Sequence, residues 1–245
     1  MVSYGYIEAN LIKLRKNIER VCRSVERNAK EIHIVAVSKT FPVEAIASAL
    51  DYNQLDFGEN RVQELTVKQK EIQGRIINWH LVGHLQTNKV KYVLPFIYLI
   101  HSLDSLKLAL KIQTEAAKLG KEVNCLIQVN TSVEEQKSGC EVREALKLAK
   151  EISIFDNVRV KGLMTIAKII PDDAGEEERN VVRGNFRALR ELYNEIKALC
   201  IPNVEMKYLS MGMTADYEIA IEEGSNMLRI GSAIFGARSQ KSFQN

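Results

Sequence analysis

"IHIVAVSKTFP", residues Ile32 to Pro42, reads as a buried apolar strand that ends on a lysine where the chain turns. Five strand-compatible apolar residues fill Ile32 to Ser38, the run stops at Lys39, and Pro42 suits the first position of a following helix. A single lysine at a strand end is ordinarily a solvated terminus. Whether Lys39 is more than that depends on what the rest of the chain sets around it.

Working outward, the same strand-then-helix pattern recurs. Strand-like runs lie at "HIVAVSK", "LDFGEN", "NWHLVG", "YLIHS", "VNCLIQVN", "VRVKGLM", "MKYLSMG" and "MLRIGSA". An amphipathic helix precedes them, with Leu11, Leu14, Ile18 and Val21 on one face. Between the strands, "SLDSLKLALKIQTEAAKLG" places Leu103, Leu106, Leu110 and Ala117 on one helical face, with Gly120 as its stop. "VREALKLAKEI" and "VRGNFRALRELYNEIKAL" show similar periodicity, and the acidic run "PDDAGEEERN", Pro171 to Asn180, reads as a solvated loop leading into the next helix. Eight strands separated by helices predict a parallel sheet closed as a (β/α)8 TIM barrel with an N-terminal helix. The alternation occupies the chain without a linker, so one domain over residues 1–245 is expected. A doubly wound open sheet would place a glycine-rich turn after the first strand, and "SKTFP" is not one.

Composition narrows the classes of function. The chain has 245 residues, 46% hydrophobic and 27% charged, and 34 basic against 31 acidic side chains give a net charge of +3. That balance argues for neither a nucleic-acid nor a membrane partner. Cys22, Cys125, Cys140 and Cys200 form no C-x-x-C pair and read as reduced thiols, without zinc-site spacing. The longest apolar stretch, "YVLPFIYLI", is broken by Pro95 and is far shorter than the roughly 20 residues of a membrane span. The charged N-terminus lacks a signal peptide's apolar core, so a cytoplasmic location is expected.

Barrel chemistry sits where strands end. Those ends carry Lys39, Asn60, His84, His101, Asn130, Met164, Ser210 and Arg229, together a polar ring at one mouth. Each has a plainer reading: Asn60 could cap the helix starting at Arg61 or Val62, and His84 and His101 could be ordinary hydrogen-bonded histidines. His33, inside the first strand, reads as structural. The last two strands end in "SMGMT" (Ser210 to Thr214) and "RIGSA" (Arg229 to Ala233), each offering a hydroxyl and a glycine through which backbone N–H groups can approach an anion. A phosphate cup across the mouth from a strand-end lysine suits a phosphorylated carbonyl compound, because lysine amines form Schiff bases with carbonyls. Two chemistries fit, a sugar-phosphate aldolase or pyridoxal 5′-phosphate (PLP). Arg229 favours PLP as a partner of the pyridine nitrogen, although it could equally bind phosphate.

"AVSKTFP", "FGENRVQE", "HLVGHLQTNK", "IHSLDS", "GLMTI", "LSMGMTADYEIAI" and "LRIGSAIFGAR" resemble, in order and spacing, the pyridoxal phosphate homeostasis protein family (YggS/PROSC-like), from the first strand to Arg238. The resemblance implies the barrel of the alanine racemase N-terminal domain. It also implies that Lys39 holds PLP as a Schiff base, that Asn60 lies near the ring, that Ser210, Gly231 and Ser232 form the phosphate cup, and that Arg229 faces the pyridine nitrogen. Ser232 and Thr214 stand where the family commonly has Thr and Ser, and both keep the hydroxyl.

An arginine on the pyridine nitrogen disfavours its protonation and weakens carbanion stabilisation. Racemases with this barrel take a tyrosine base from a second domain, and here the barrel is expected to use the whole chain. The expectation is therefore a cofactor carrier, with apo PLP-dependent enzymes as recipients and no catalytic or metal-binding residue. A low-activity amino-acid racemase is the alternative, and a Schiff-base aldolase a third.

Overall fold

The computed structural model describes residues 4–72, 74–132, 138–168, 170–171 and 174–237. Asp172, Asp173 and Arg238, which fall within stretches read above, lie outside the described residues.

The chain opens with α1 (Tyr6–Ser24) and enters the sheet at β1 (His33–Val37). Then follow α2 (Val43–Leu50), β2 (Asp56–Glu59), α3 (Val62–Glu71), β3 (Asn78–Leu81), the single turn α4 (Val90–Val93), β4 (Ile97–Leu103), α5 (Leu106–Lys118) and β5 (Val123–Asn130). A two-residue strand β6 (Cys140–Glu141) precedes α6 (Val142–Ile152), β7 (Val158–Met164), α7 (Glu176–Ala198), β8 (Val204–Ser210), α8 (Tyr217–Glu222), β9 (Met227–Ile230) and α9 (Ser232–Phe235). The pairing runs β4-β3-β2-β1-β9-β8-β7-β5, and β4 also pairs with β5. Each of these pairings is parallel, so eight strands close on themselves with β6 outside the ring. This is the (β/α)8 barrel expected from the alternation.

Two apolar layers hold it. Val35, Val37, Val82, Leu99, Leu126, Met164, Tyr208 and Met227 fill the lumen, while the opposite strand faces pack on the helices. Since successive strand residues face opposite sides, this set tells which residues of each strand point inward. Helix α1 buries Ile7, Leu11, Leu14, Ile18 and Val21 and reaches over to the end of the barrel. There Tyr6 Oη donates to Phe235 O and Asn10 Nδ2 to Ile234 O, both at 2.9 Å. Those carbonyls belong to a helix too short to satisfy them internally, so α1 fixes the turn that follows β9.

Three local readings need correction. In α5 the buried residues are Leu108, Ala109, Ile112, Glu115 and Ala116, whereas Leu110 and Ala117 are exposed and Leu103 belongs to β4. Ser105 Oγ accepts from Leu108 N and starts the helix there, so the stripe that meets the sheet is rotated from the one counted. The acidic run is partly helical: Glu176, Glu177 and Glu178 form the first turn of α7, where carboxylates favour the positive end of the helix dipole. Asn60 caps nothing, since the residue before α3 is Arg61 and no side chain caps that end.

Candidate functional site

Alternation along β1 puts Lys39 in phase with Val35 and Val37, on the lumen side at the C-terminal mouth. Lys39 is half-buried, between Ser38, which is fully buried, and exposed Thr40. Its flanks are held from outside the barrel. Ser38 N donates to Gly58 O at 3.0 Å, and Phe41 N donates back to Ser38 O at 3.0 Å. Lys68, reaching from α3, donates to Ser38 O at 2.8 Å, to Glu59 Oε1 at 2.6 Å and to Glu64 Oε1 at 2.7 Å. Glu59 Oε1 also accepts from Ser38 Oγ at 2.6 Å, and Glu64 Oε1 from Thr40 N at 2.7 Å.

Thr40 needs that hold. Its φ of 71° is left-handed, a region that costs a β-branched residue about 1–3 kcal/mol. The next anchor is Phe41, whose ring lies 5.2 Å from that of Phe235 in α9. Lysine and strained turn are thus gripped on both sides by an acid–lysine–acid cluster.

On the neighbouring strand, β9 pairs with β1 so that Arg229 stands beside Val35 and Ile230 beside Ala36. The glycine and serine expected to bind phosphate therefore follow the strand next to Lys39, and do not face it across the mouth. Arg229 is 5% exposed; its Nη1 donates to Ser210 Oγ and its Nη2 to Thr165 O, both at 2.7 Å. Burial lowers its pKa to about 10 and the charge of Asp216 opposes that shift, so the guanidinium stays charged.

The turn after β8 is tied to the same strand. Met211 N donates to Met227 O at 3.2 Å, and Gly212 O accepts from Arg229 N at 3.0 Å. Gly212 has φ of 97°, and a Cβ on it would lie 2.6 Å from that of Ala220, so only glycine passes here. Ala233 N donates to Thr214 Oγ1 at 3.4 Å, joining the two turns. Ser232 is exposed and Gly231 half-buried at this rim.

Asn60 is half-buried at the end of β2, pressed by the backbone of Gly83, where a Cβ would sit 2.3 Å from Asn60 O. Asn60, Arg61, Gln63, His84, Gln86 and Lys89 line a polar cleft of about 530 Å³ beside the mouth. Here His84 is exposed, 3.6 Å from Asp104. The two strand-end histidines therefore differ, because β4 runs on to Leu103 and leaves His101 inside the lumen, fully buried.

His101 Nδ1 lies 3.2 Å from Ser210 Oγ and its Nε2 lies 2.8 Å from His80 Nδ1. Burial holds its pKa well below the ordinary 6.5, and the Arg229 guanidinium, like any proton placed on His80, pushes the same way. A depressed folded pKa means this group's contribution to stability is intact above about pH 6.5 and is lost as pH falls, when the unfolded chain takes up a proton the folded one refuses. Below that pH the cost is expected to reach up to about 1.4 kcal/mol per pH unit. Urea unfolding of His101→Gln, compared with the original chain at about pH 7.5 and about pH 5, should show a flatter profile by that amount.

Residues 9–239 match the family model "Alanine racemase, N-terminal domain". The pyridoxal phosphate homeostasis protein of Haemophilus influenzae is 40% identical over 98% of this chain and 99% of its own length. The chain belongs to the pyridoxal phosphate homeostasis protein family. Among solved structures, PipY of Synechococcus elongatus with PLP bound superposes with a TM-score of 0.78 at 30% identity, over 94% of this chain and all of that one. An alanine racemase of Clostridium difficile shares the fold at a TM-score of 0.73 and 16% identity, this chain covering 58% of it.

Within this family member the mouth gathers Lys39, Asn60, Ser210, Arg229, Gly231 and Ser232 at strand ends or in the turns that follow. Two groups of residues were not singled out from sequence: Glu59, Glu64 and Lys68 around the lysine turn, and Asp56 and His80 inside the barrel. His80 and Asp56 fall in phase with the lumen-facing Val82 and Gly58 of their strands, and polar residues in that phase were the available signal.

Proposed function

We propose that this chain binds pyridoxal 5′-phosphate at the C-terminal mouth of its barrel and serves cellular PLP balance. It acts as a holder that passes the cofactor on. The observation that carries this reading is the pairing of β1 with β9, which brings Lys39, Arg229 and Gly231 onto adjacent strands. Support comes also from relatives named for PLP homeostasis and from PipY, a relative with PLP bound.

The donor set suits the cofactor. It comprises a primary amine for an aldehyde, a buried guanidinium for a ring nitrogen, and hydroxyl- and glycine-bearing turns for a phosphate. When bound, PLP supplies an aldehyde that condenses with amines and a ring that accepts electrons. Lys39 would hold the aldehyde carbon, Asn60 would border the ring, and Gly231, Ser232 and the backbone of the turn that begins at Ser210 would hold the phosphate. Arg229 would face the ring nitrogen. As a guanidinium it donates and cannot accept a proton there, so it disfavours the protonated, strongly electron-withdrawing ring. That is the physical ground for reading a carrier rather than a catalyst.

We further read the compartment as cytoplasmic, in keeping with four unpaired thiols, and the recipients as apo PLP-dependent enzymes. Loaded protein mixed with an apo-enzyme, with a trap for free PLP present, tests the function. Activation faster than release into buffer is expected. Lys39-dependent α-proton exchange of an amino acid in deuterated water, at an enzymatic rate, would overturn it in favour of a racemase.

A further inference from the structure

Behind the mouth a continuous polar thread crosses the apolar lumen. From Arg229 Nη1 it passes to Ser210 Oγ at 2.7 Å, to His101 Nδ1 at 3.2 Å, and from His101 Nε2 to His80 Nδ1 at 2.8 Å. It ends where His80 Nε2 meets Asp56 Oδ1 at 3.0 Å, at the N-terminal start of β2. Ser210, His101 and His80 have no exposed surface, whereas the Asp56 side chain is 26% exposed. Five side chains from five strand or strand-end positions thus connect the two ends of the barrel.

Chemistry orders the protons. A guanidinium only donates, so Ser210 Oγ accepts from Arg229. Burial pushes the Asp56 carboxyl up, but its neighbours, His80 first and then Asn78 and His33, outweigh that and leave it below its usual range, hence ionised. A carboxylate only accepts, so His80 gives it the Nε2 proton. A neutral His80 must then accept at Nδ1 from the Nε2–H of His101, and His101 accepts at Nδ1 from the Ser210 hydroxyl. One proton fills each gap, and the buried thread carries one cation and one anion at its ends with two neutral rings between. The opposite direction requires an imidazolium in a lumen that already holds a guanidinium, with further desolvation cost. His33, Lys207, Tyr98 and Tyr208 are the other titratable groups near this end.

We propose that Asp56, His80 and His101 are positioning residues for the cofactor site: a one-way hydrogen-bond relay that turns the Ser210 hydroxyl inward and aims Arg229 at the mouth. Its bearing on PLP rests on the function proposed above; its proton order does not. The relay makes the far end of the barrel part of the binding site without touching the ligand.

Two measurements on the full chain test it. Long-range ¹H–¹⁵N correlation spectra near neutral pH, without PLP, should show both rings neutral in the Nε2–H form. An imidazolium at His80 or an Nδ1–H form at His101 would overturn the relay. Asp56→Ala should weaken PLP binding about tenfold, as expected for a lost charge-assisted hydrogen bond, while Asp56→Asn, whose amide oxygen can still accept, should stay within about twofold. Unchanged binding by Asp56→Ala, or equal losses in both variants, would overturn the positioning role, and thermal unfolding of each separates that from loss of fold. If the original chain itself binds no PLP while its rings have the expected tautomers, the proposed function fails and the proton order stands.

Discussion

Lys39→Ala is expected to abolish covalent retention of PLP while leaving the barrel folded. The amine is the group at the mouth that would condense with the aldehyde, and no other interaction in the donor set makes a bond of that kind. What remains in the variant is the turn after β8, the turn after β9 and Arg229, which together would retain the phosphate and ring with weaker, reversible affinity. Stability should change by less than about 1 kcal/mol, because Lys39 is half-buried and the strain in its turn is held by Lys68, Glu59 and Glu64 rather than by its own side chain. The check is to load both proteins with PLP, reduce with borohydride and map the added mass. The original chain should carry it on the peptide containing Lys39 and the variant nowhere. Pyridoxyl mass on another lysine of the unmodified protein would move the site and take the proposed roles of Arg229 and Ser232 with it.

How much of this was legible beforehand follows from which physical signals are local. β5 and β7 were read with their observed bounds because an apolar run hemmed in by polar residues and turns is a short-range property. The positions of Lys39, Arg229 and Gly231 at or beside strand ends were legible because the strand and turn signals that place them are local, and strand ends are where a barrel offers a site. Their adjacency was not, since closure of the ring by β1 against β9 joins residues almost two hundred positions apart. α5 shows a different failure. "LKLALKI" has apolar residues on more than one side, and the choice between Leu110 and Ile112 as the inward one depends on where the Ser105 cap starts the helix against the sheet. His80 and Asp56 were missed although the signal was local, because a polar residue in mid-strand draws notice only once the lumen face of that strand is assigned.

Glu59 and Lys68 were beyond any such reading, and they carry the other large effect. Lys68→Met should destabilise the fold by about 3–5 kcal/mol, the range for breaking a buried ion pair from one side. Glu59 is fully buried, its Oε2 has no hydrogen-bond partner, and burial already pushes its carboxyl up, opposed chiefly by the Lys68 charge. Without Lys68 that carboxylate loses its cation, Ser38 O loses a donor, and Glu64 is left to hold Thr40 N alone. The damage would reach the proposed cofactor site, because Ser38 and Thr40 are the two neighbours of Lys39 and Thr40 sits in a conformation it does not prefer. Adding Glu59→Gln to Lys68→Met removes the unpaired charge and should recover more than half of the lost stability, since the penalty lies in the stranded carboxylate more than in the absent attraction. Urea unfolding measures both variants. A loss below about 1 kcal/mol in the single variant would mean that water or rearrangement satisfies Glu59, and PLP retention would then be untouched. A large loss relieved by the second substitution, with PLP affinity still reduced, would show that the cluster's role is to hold the lysine turn and not merely to stabilise the barrel.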